Sequence, residues 1–222
     1  MKKLIEFISL KIISPFNWTR IKFLFTGRAY DLTSKDREEI REEMQAGLRI
    51  WVSRRETHLT TYFIGFFDWA LAVWAWFKNG RKGIKPKWGF WTHAFANINS
   101  HEIMEAIAKG VTKSMFDDAF NCEAAAALVP ANLSVIEWHN ISKEIVEELK
   151  LQDGKKYDSG FNLKDESKVS CIELMRLVLM KRVKDYHYKF ADLEEDVRLY
   201  KNLTPQMLYD SKSFKVVWEV RR

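Results

Sequence analysis

Apolar positions recur with a helical period in some stretches of the chain and alternate or cluster in others, and the switches between these patterns outline its elements. In KVSCIELMRLVLMKR (Lys168 to Arg182), Ile172, Leu174, Met175, Val178 and Leu179 recur at three- and four-residue steps, which predicts a helix with a wide apolar face. Ser170 and Glu173 have the spacing of a capping box, and Lys181, Arg182 and Lys184 lie at the end where cations suit the helix dipole. Thr33 to Gly47 predicts a charged helix, with Thr33 and Asp36 spaced as a cap and Gly47 as its stop. Leu48 to Ser53 predicts a strand. Trp91 to Ile98 and Glu102 to Ile107 predict two strands around the polar turn Asn99-Ser100-His101. Leu133 to Trp138 and Phe214 to Val220 predict two more. Glu144 to Leu151 is a short helix, and Lys181 to Tyr200 continues or follows the helix that begins near Cys171. The sum is an α+β protein with a small, mainly antiparallel sheet and helices packed on it.

Two segments leave alternatives open. Tyr62 to Phe77 (YFIGFFDWALAVWAWF) is apolar all round except at Asp68, yet shorter than the ~20 residues a membrane span needs. A buried helix is the first reading, and a lid or membrane-touching helix the second. KNGRKGIKPK, which follows, is a loop by its glycine and proline content. At the N-terminus, Lys2 and Lys3 precede LIEFISLKIISPF like the start of a secretory signal, but Glu6 and Lys11 interrupt the apolar run and no small-residue cleavage site follows. An amphipathic helix ending near Ser14-Pro15 is expected, docked on the domain or lying on a membrane surface. With no clear signal or span, a cytoplasmic location is the default expectation.

Composition narrows the function classes. The 222 residues suit one domain with appendages, and nine tryptophans supply a sizeable core. A net charge of +6 permits an anionic partner without requiring one. The basic residues are spread among acidic ones and no nucleic-acid motif is present, so no nucleic-acid partner is expected. Two cysteines, Cys122 and Cys171, are too few for a disulfide scaffold or a zinc site, although a single bridge between them remains open. His139 and His187 have no spaced partners, so no metal site is expected. Asp117-Asp118 suits a helix start or the surface, and His101 suits a solvated turn.

Cys171 carries the first chemical clue. With Ser170 as N-cap it becomes the first helical residue, its sulfur close to unpaired N–H groups and the positive pole of the dipole, a setting that favours thiolate and nucleophilic chemistry. The alternative is a packed core cysteine, the usual fate of a free thiol. Cys122, in NCEAAAALVP, reads as packed. The second clue lies in the hairpin. His93 and Glu105 are each six residues from Asn99. In an antiparallel pair centred there they stand directly opposite, with Cβ atoms about 4.5–5.5 Å apart. A carboxylate beside an imidazole fixes its tautomer and stabilises its charged form, the orienting role in a nucleophile–base–orienter triad. The alternative is a polar cross-strand pair on a solvated face, against which the apolar neighbours Phe95 and Ile103 argue.

His93 on a strand, Glu105 in IMEAIAKGV on the next, and Cys171 in CIEL opening a late helix resemble the permuted papain-like amidases of the YiiX/YaeF type, circularly permuted relatives of the NlpC cell-wall peptidases. In ordinary papain-like enzymes the cysteine helix precedes the histidine strand. In the permuted group the order is His, then an acidic or polar residue, then Cys, as here. THLTTYFIGF (Thr57 to Phe66), FWTHA (Phe90 to Ala94) and YDSGF (Tyr157 to Phe161) also match, and the resemblance covers roughly Leu48 to Lys184.

The resemblance implies a permuted papain-like domain over 48–222, preceded by an N-terminal helical extension over 1–47. It implies Cys171 as nucleophile, His93 as base, Glu105 as orienter, and His58, Trp91 and Tyr157 along the substrate cleft, with no metal or other cofactor. The backbone N–H of Cys171 is the first oxyanion donor that a helix start would supply, and Glu173 is explained by its cap. The implied activity is a cysteine hydrolase cleaving an amide in a peptide-like substrate. The alternatives are an acyl-lipid substrate, as in lecithin–retinol-type acyltransferases, and a non-catalytic module keeping a vestigial triad. The chain departs from the family at Ile172, where a serine is usual, and at the apolar insertion near 66–90. Contact with a membrane through the N-terminal helix or residues 62–77 would suit the lipid alternative.

Overall fold

The computed structural model describes residues 32–54, 66, 69–70, 73–74, 76–78, 80, 90–158, 167–181, 190 and 204–221. The expected N-terminal helix, His58, most of the 62–77 segment and nearly all of 182–200 lie outside them.

Chain order is α1 (Ser34–Gln45), β1 (Ile50–Arg54), β2 (His93–Asn97), β3 (Glu102–Ile107), β4 (Gly110–Met115), α2 (Phe116–Ala119), β5 (Ala124–Pro130), α3 (Val135–Leu151), β6 (Lys156–Tyr157), β7 (Lys168–Val169), α4 (Cys171–Arg176), a π-helical turn (Leu177–Lys181), α5 (Pro205–Asp210) and β8 (Phe214–Arg221). Six strands form one antiparallel sheet in the order β4-β3-β2-β1-β5-β8, and β6 pairs with β7 in parallel beside it. This is the α+β class expected from the sequence.

The two faces of the sheet bury separate cores. Even-numbered residues of β1 and β2, such as Ile50, Val52, Ala94 and Ala96, pack with Cys171, Ile172, Leu174 and Met175 of α4 and with Trp138, Ile141 and Ile145 of α3. Odd-numbered residues, Trp51 and Phe95 among them, pack with Ile40 and Met44 of α1 and Phe116 and Phe120 of α2. The helix from the 1–47 extension is thus built into the second core. Its capping box is present, the Thr33 hydroxyl accepting from Asp36 N–H and the Asp36 carboxylate from Thr33 N–H at 2.7 Å.

Several elements differ from expectation. Leu133 to Trp138 is not a strand. Ser134 and Glu137 form a capping box that opens α3, which runs unbroken to Leu151 and absorbs the short helix expected at Glu144. The β-forming residues Val135 and Ile136 are exposed in its first turn. Strands β4 and β5 were not expected. Residues Ala124 to Ala127 of β5 lie between β1 and β8 with both faces buried, and their small side chains admit Trp51 and Trp218 on one side. The segment around 62–77 also departs from the buried helix. Its described residues between Phe66 and Lys78 are helical, and none is buried.

Gly110 marks a close approach that positions the site. It has φ +115°, and a Cβ there would lie 2.4 Å from the Lys155 carbonyl oxygen. That approach lets Val111 N–H donate to Lys155 at 2.8 Å and Gly154 N–H donate to Val111 at 3.0 Å, docking the turn that leads into β6 against β4. Gly110→Ala should cost about 2–3 kcal/mol, the usual scale for a residue forced into this region with a clash added. Urea unfolding of the variant checks it; an unchanged midpoint would contradict this account of the glycine.

Candidate active site

Cys171 stands at the start of α4. Ser170 is the N-cap with extended backbone; its hydroxyl accepts from Glu173 N–H at 3.4 Å, and Ser170 N–H donates to the Glu173 carboxylate at 2.7 Å. The box anticipated from the sequence therefore places Cys171 at the first helical position, where its own N–H has no intrahelical acceptor. No disulfide joins Cys122 and Cys171. Cys171 is 6 % exposed, whereas Cys122 is fully enclosed in the second core.

Glu173 is nearly buried. Burial pushes its carboxyl up and the charge of nearby Asp158 adds to this, while the hydrogen bonds from Ser170 and the charge of Arg176 act the other way. Its bonds are those of a cap, which accounts for the residue structurally.

His93 is the first residue of β2. The chain reaching it is pinned from two sides. Gln206 of α5 accepts from the N–H groups of Phe90, at 2.7 Å, and Trp91, at 3.3 Å, and Thr92 N–H donates to the Ser53 carbonyl at 3.0 Å. The register corrects the expected pairing. Glu105 stands opposite Phe95, not opposite His93, because the loop is centred one residue later than assumed. Asn99 sets that loop by accepting from the N–H groups of His101 and Glu102, both at 2.8 Å. Moving the centre by one residue moves each partner by two, and a two-residue step preserves the face. His93 and Glu105 therefore still meet, as a diagonal pair, with Nε2 and Oε2 2.7 Å apart.

Glu105 is 2 % exposed, and its second oxygen accepts from the Ser114 hydroxyl of β4. Ser114 was missed in the sequence because β4 was missed. The signal was present in the turn Ala108-Lys109-Gly110 followed by the alternating Val111-Thr112-Lys113-Ser114.

His93 joins the two cores at the strand's end. Its ring contacts Phe95 of the second core at 5.5 Å between centroids, and it lies close enough to the side chain of Cys171, a member of the first, for the two to influence each other's charge. With Nε2 engaged by Glu105, Nδ1 is the ring nitrogen left for the thiol. Burial would lower the imidazole pKa, but the hydrogen bonds and negative charges of Cys171 and Glu105 outweigh it, and the value is raised from 6.5 to about 9.

A raised histidine pKa contributes stability that is complete below the unfolded value and is lost as pH climbs through the folded one. The chain should therefore lose stability between about pH 6.5 and about pH 9. His93→Ala should flatten the profile in that window, the difference being at most about 3 kcal/mol. Denaturant midpoints across the range measure it; parallel profiles for the two chains would contradict a charged, buried His93.

The remaining candidates are placed as follows. Trp91 is buried at 2 % exposure, its ring 5.2 Å from that of Tyr209 and 4.9 Å from that of Phe90. Tyr157 is half-buried in β6 and packs against the first core. His101 is exposed in its turn, and Asp117 pairs with Arg37 and Arg41 at the protein surface. Among the described residues, no group of three or more His, Cys, Asp or Glu side chains is arranged to hold a metal ion.

No protein-family model matches this chain, and none of the curated proteins matches it. Among solved structures it is similar to the crystal structure of metalloprotein yiiX from Escherichia coli O157:H7, at a TM-score of 0.51 and 13 % identity over 78 % of this chain and 97 % of that one. At that identity the likeness concerns the fold, and the chain has a yiiX-like α+β fold.

Proposed function

We propose that this chain is a cysteine hydrolase of permuted papain-like fold that cleaves an amide bond in a peptide-like substrate. The observation that carries the reading is the position of His93, bonded to a buried carboxylate at 2.7 Å and near a thiol at a helix start. The order His93, Glu105, Cys171 along the chain and the yiiX-like fold support it.

In this reading His93 already holds the thiol proton, and Cys171 Sγ bonds as thiolate to the substrate carbonyl carbon. The developing oxyanion faces the Cys171 N–H at the positive end of the helix. As the C–N bond breaks, His93 returns the proton to the leaving nitrogen, and an acyl-thioester remains. Water then adds to the thioester carbonyl, giving its proton to His93, and the C–S bond breaks to release the acid and regenerate the thiolate. Glu105 holds the ring through Nε2, and Ser114 holds Glu105. Among the described residues no group of three or more His, Cys, Asp or Glu side chains is arranged to hold a metal ion, and no step includes one.

A second reading is acyl transfer or hydrolysis on a lipid, favoured by the exposed, helical aromatic residues Trp74 and Phe77. One experiment addresses both. The chain is incubated with a p-nitrophenyl ester of an N-acylated amino acid, and separately with micelles of a short-chain phosphatidylcholine, and its intact mass is measured. An acyl adduct on Cys171 from the amino-acid ester, absent in Cys171→Ala and retained in Cys122→Ser, is expected. An adduct from the lipid alone would replace the first reading by the second. No adduct from either would leave a non-catalytic module.

A further inference from the structure

The helical residues described between Phe66 and Lys78 include large exposed apolar side chains, with Phe66 44 %, Trp74 62 % and Phe77 52 % exposed. At steps of eight and three residues these side chains share one stripe of a helix. Lys78 lies beside that stripe, its Nζ 5.0 Å from the centre of the Trp74 ring. Gly80, at φ +66°, donates its N–H to the Phe77 carbonyl at 3.1 Å, the glycine stop of a helix C-terminus.

Charge singles out what such a surface would meet. From Trp69 to His101 the sequence contains no aspartate or glutamate, while Lys78, Arg81, Lys82, Lys85 and Lys87 follow the aromatic residues directly. Residues 7–30 likewise carry only basic charges, whereas from Asp31 to Asp68 and after His101 acidic and basic residues are interspersed, as in TSKDREEIREEMQ. A wholly basic run after an exposed aromatic stripe matches the two layers of a bilayer surface. Tryptophan and phenylalanine enter the boundary between headgroups and acyl chains, and lysine and arginine meet anionic headgroups. No helix among the described residues is long and apolar enough to cross a membrane, so the geometry is one of lying on the surface.

We infer that the exposed helical residues described between Phe66 and Lys78 dock this protein on membranes carrying anionic lipids, with Trp74 and Phe77 inserted and Lys78 at the headgroups. Sedimentation of the full chain with vesicles tests it, using phosphatidylcholine alone and phosphatidylcholine mixed with phosphatidylglycerol. Binding to the anionic vesicles should exceed binding to the neutral ones by about tenfold and weaken as salt is raised. The double variant Trp74→Glu, Phe77→Glu should lose it while keeping the wild-type circular dichroism spectrum. Lys78→Glu, a single exposed change, should weaken it and shift the salt dependence. A chain that stays in the supernatant with both vesicle types overturns the inference. So does binding unaffected by the variants, which would transfer the contact to another segment such as residues 1–31.

Discussion

Replacing His93 with alanine should slow alkylation of Cys171 by iodoacetamide by about tenfold to a hundredfold near neutral pH, and Cys171→Ser should abolish the reaction. The nucleophile in alkylation is the thiolate, so the rate reports how well the surroundings hold its negative charge. Two features provide that here, the start of α4 and a histidine that its two acidic partners, against the effect of burial, keep in its charged form to about pH 9. Cys122→Ser should leave the rate unchanged, because Cys122 is fully buried in the second core. Glu105→Gln should give an intermediate rate, since the amide can still hold the ring but no longer supplies a charge. A rate indifferent to His93→Ala would show that the contact between ring and thiol does not govern reactivity, and the catalytic reading would fail with it.

Trp51→Ala should destabilise the fold by about 3–5 kcal/mol, seen as a lower urea midpoint. Trp51 is fully buried in β1 and packs edge-on against Phe120, with ring centres 4.8 Å apart, and near Trp218 at 6.1 Å and Phe95 at 6.5 Å. Its indole N–H donates to Asn97 Oδ1 at 3.1 Å, and the same oxygen accepts Arg49 N–H at 2.8 Å. Removing the ring opens a cavity and leaves a buried amide with one partner fewer. Typical domains are stable by only ~5–15 kcal/mol, so the loss is a large share. The cavity also lies next to Phe95, which stands opposite Glu105 and touches His93, so the pH window of His93 should shift in the same variant. A loss below about 1 kcal/mol would mean that the second core does not support the sheet.

Local rules explain which elements were legible. The capping boxes at Thr33 and Ser170 need three or four residues, and both occur as expected. Strands β1, β3 and β8 carry dense β-formers and were found within two residues of their ends. Leu133 to Trp138 was misread because the β-formers Val135 and Ile136 outweighed the box formed by Ser134 and Glu137, although only the box reflects a local hydrogen-bonding need. Alanine has little strand preference of its own, so β5 is a strand by virtue of its neighbours: β1 and β8 pair with it and large rings fill the space beside it.

The amino-acid sequence alone determined the α+β class, the placement of Cys171 at a helix start, and the shared face of His93 and Glu105, because period two and capping are properties of short stretches of chain. Only the tertiary structure decided that Glu105 faces Phe95, that Ser114 binds its second oxygen, and that His93 comes near a thiol 78 residues further along. Those contacts depend on a loop whose length Asn99 sets and on the packing of α4 over the small residues Ala94 and Ala96 of β2, and neither is written in the spacing of the residues that meet.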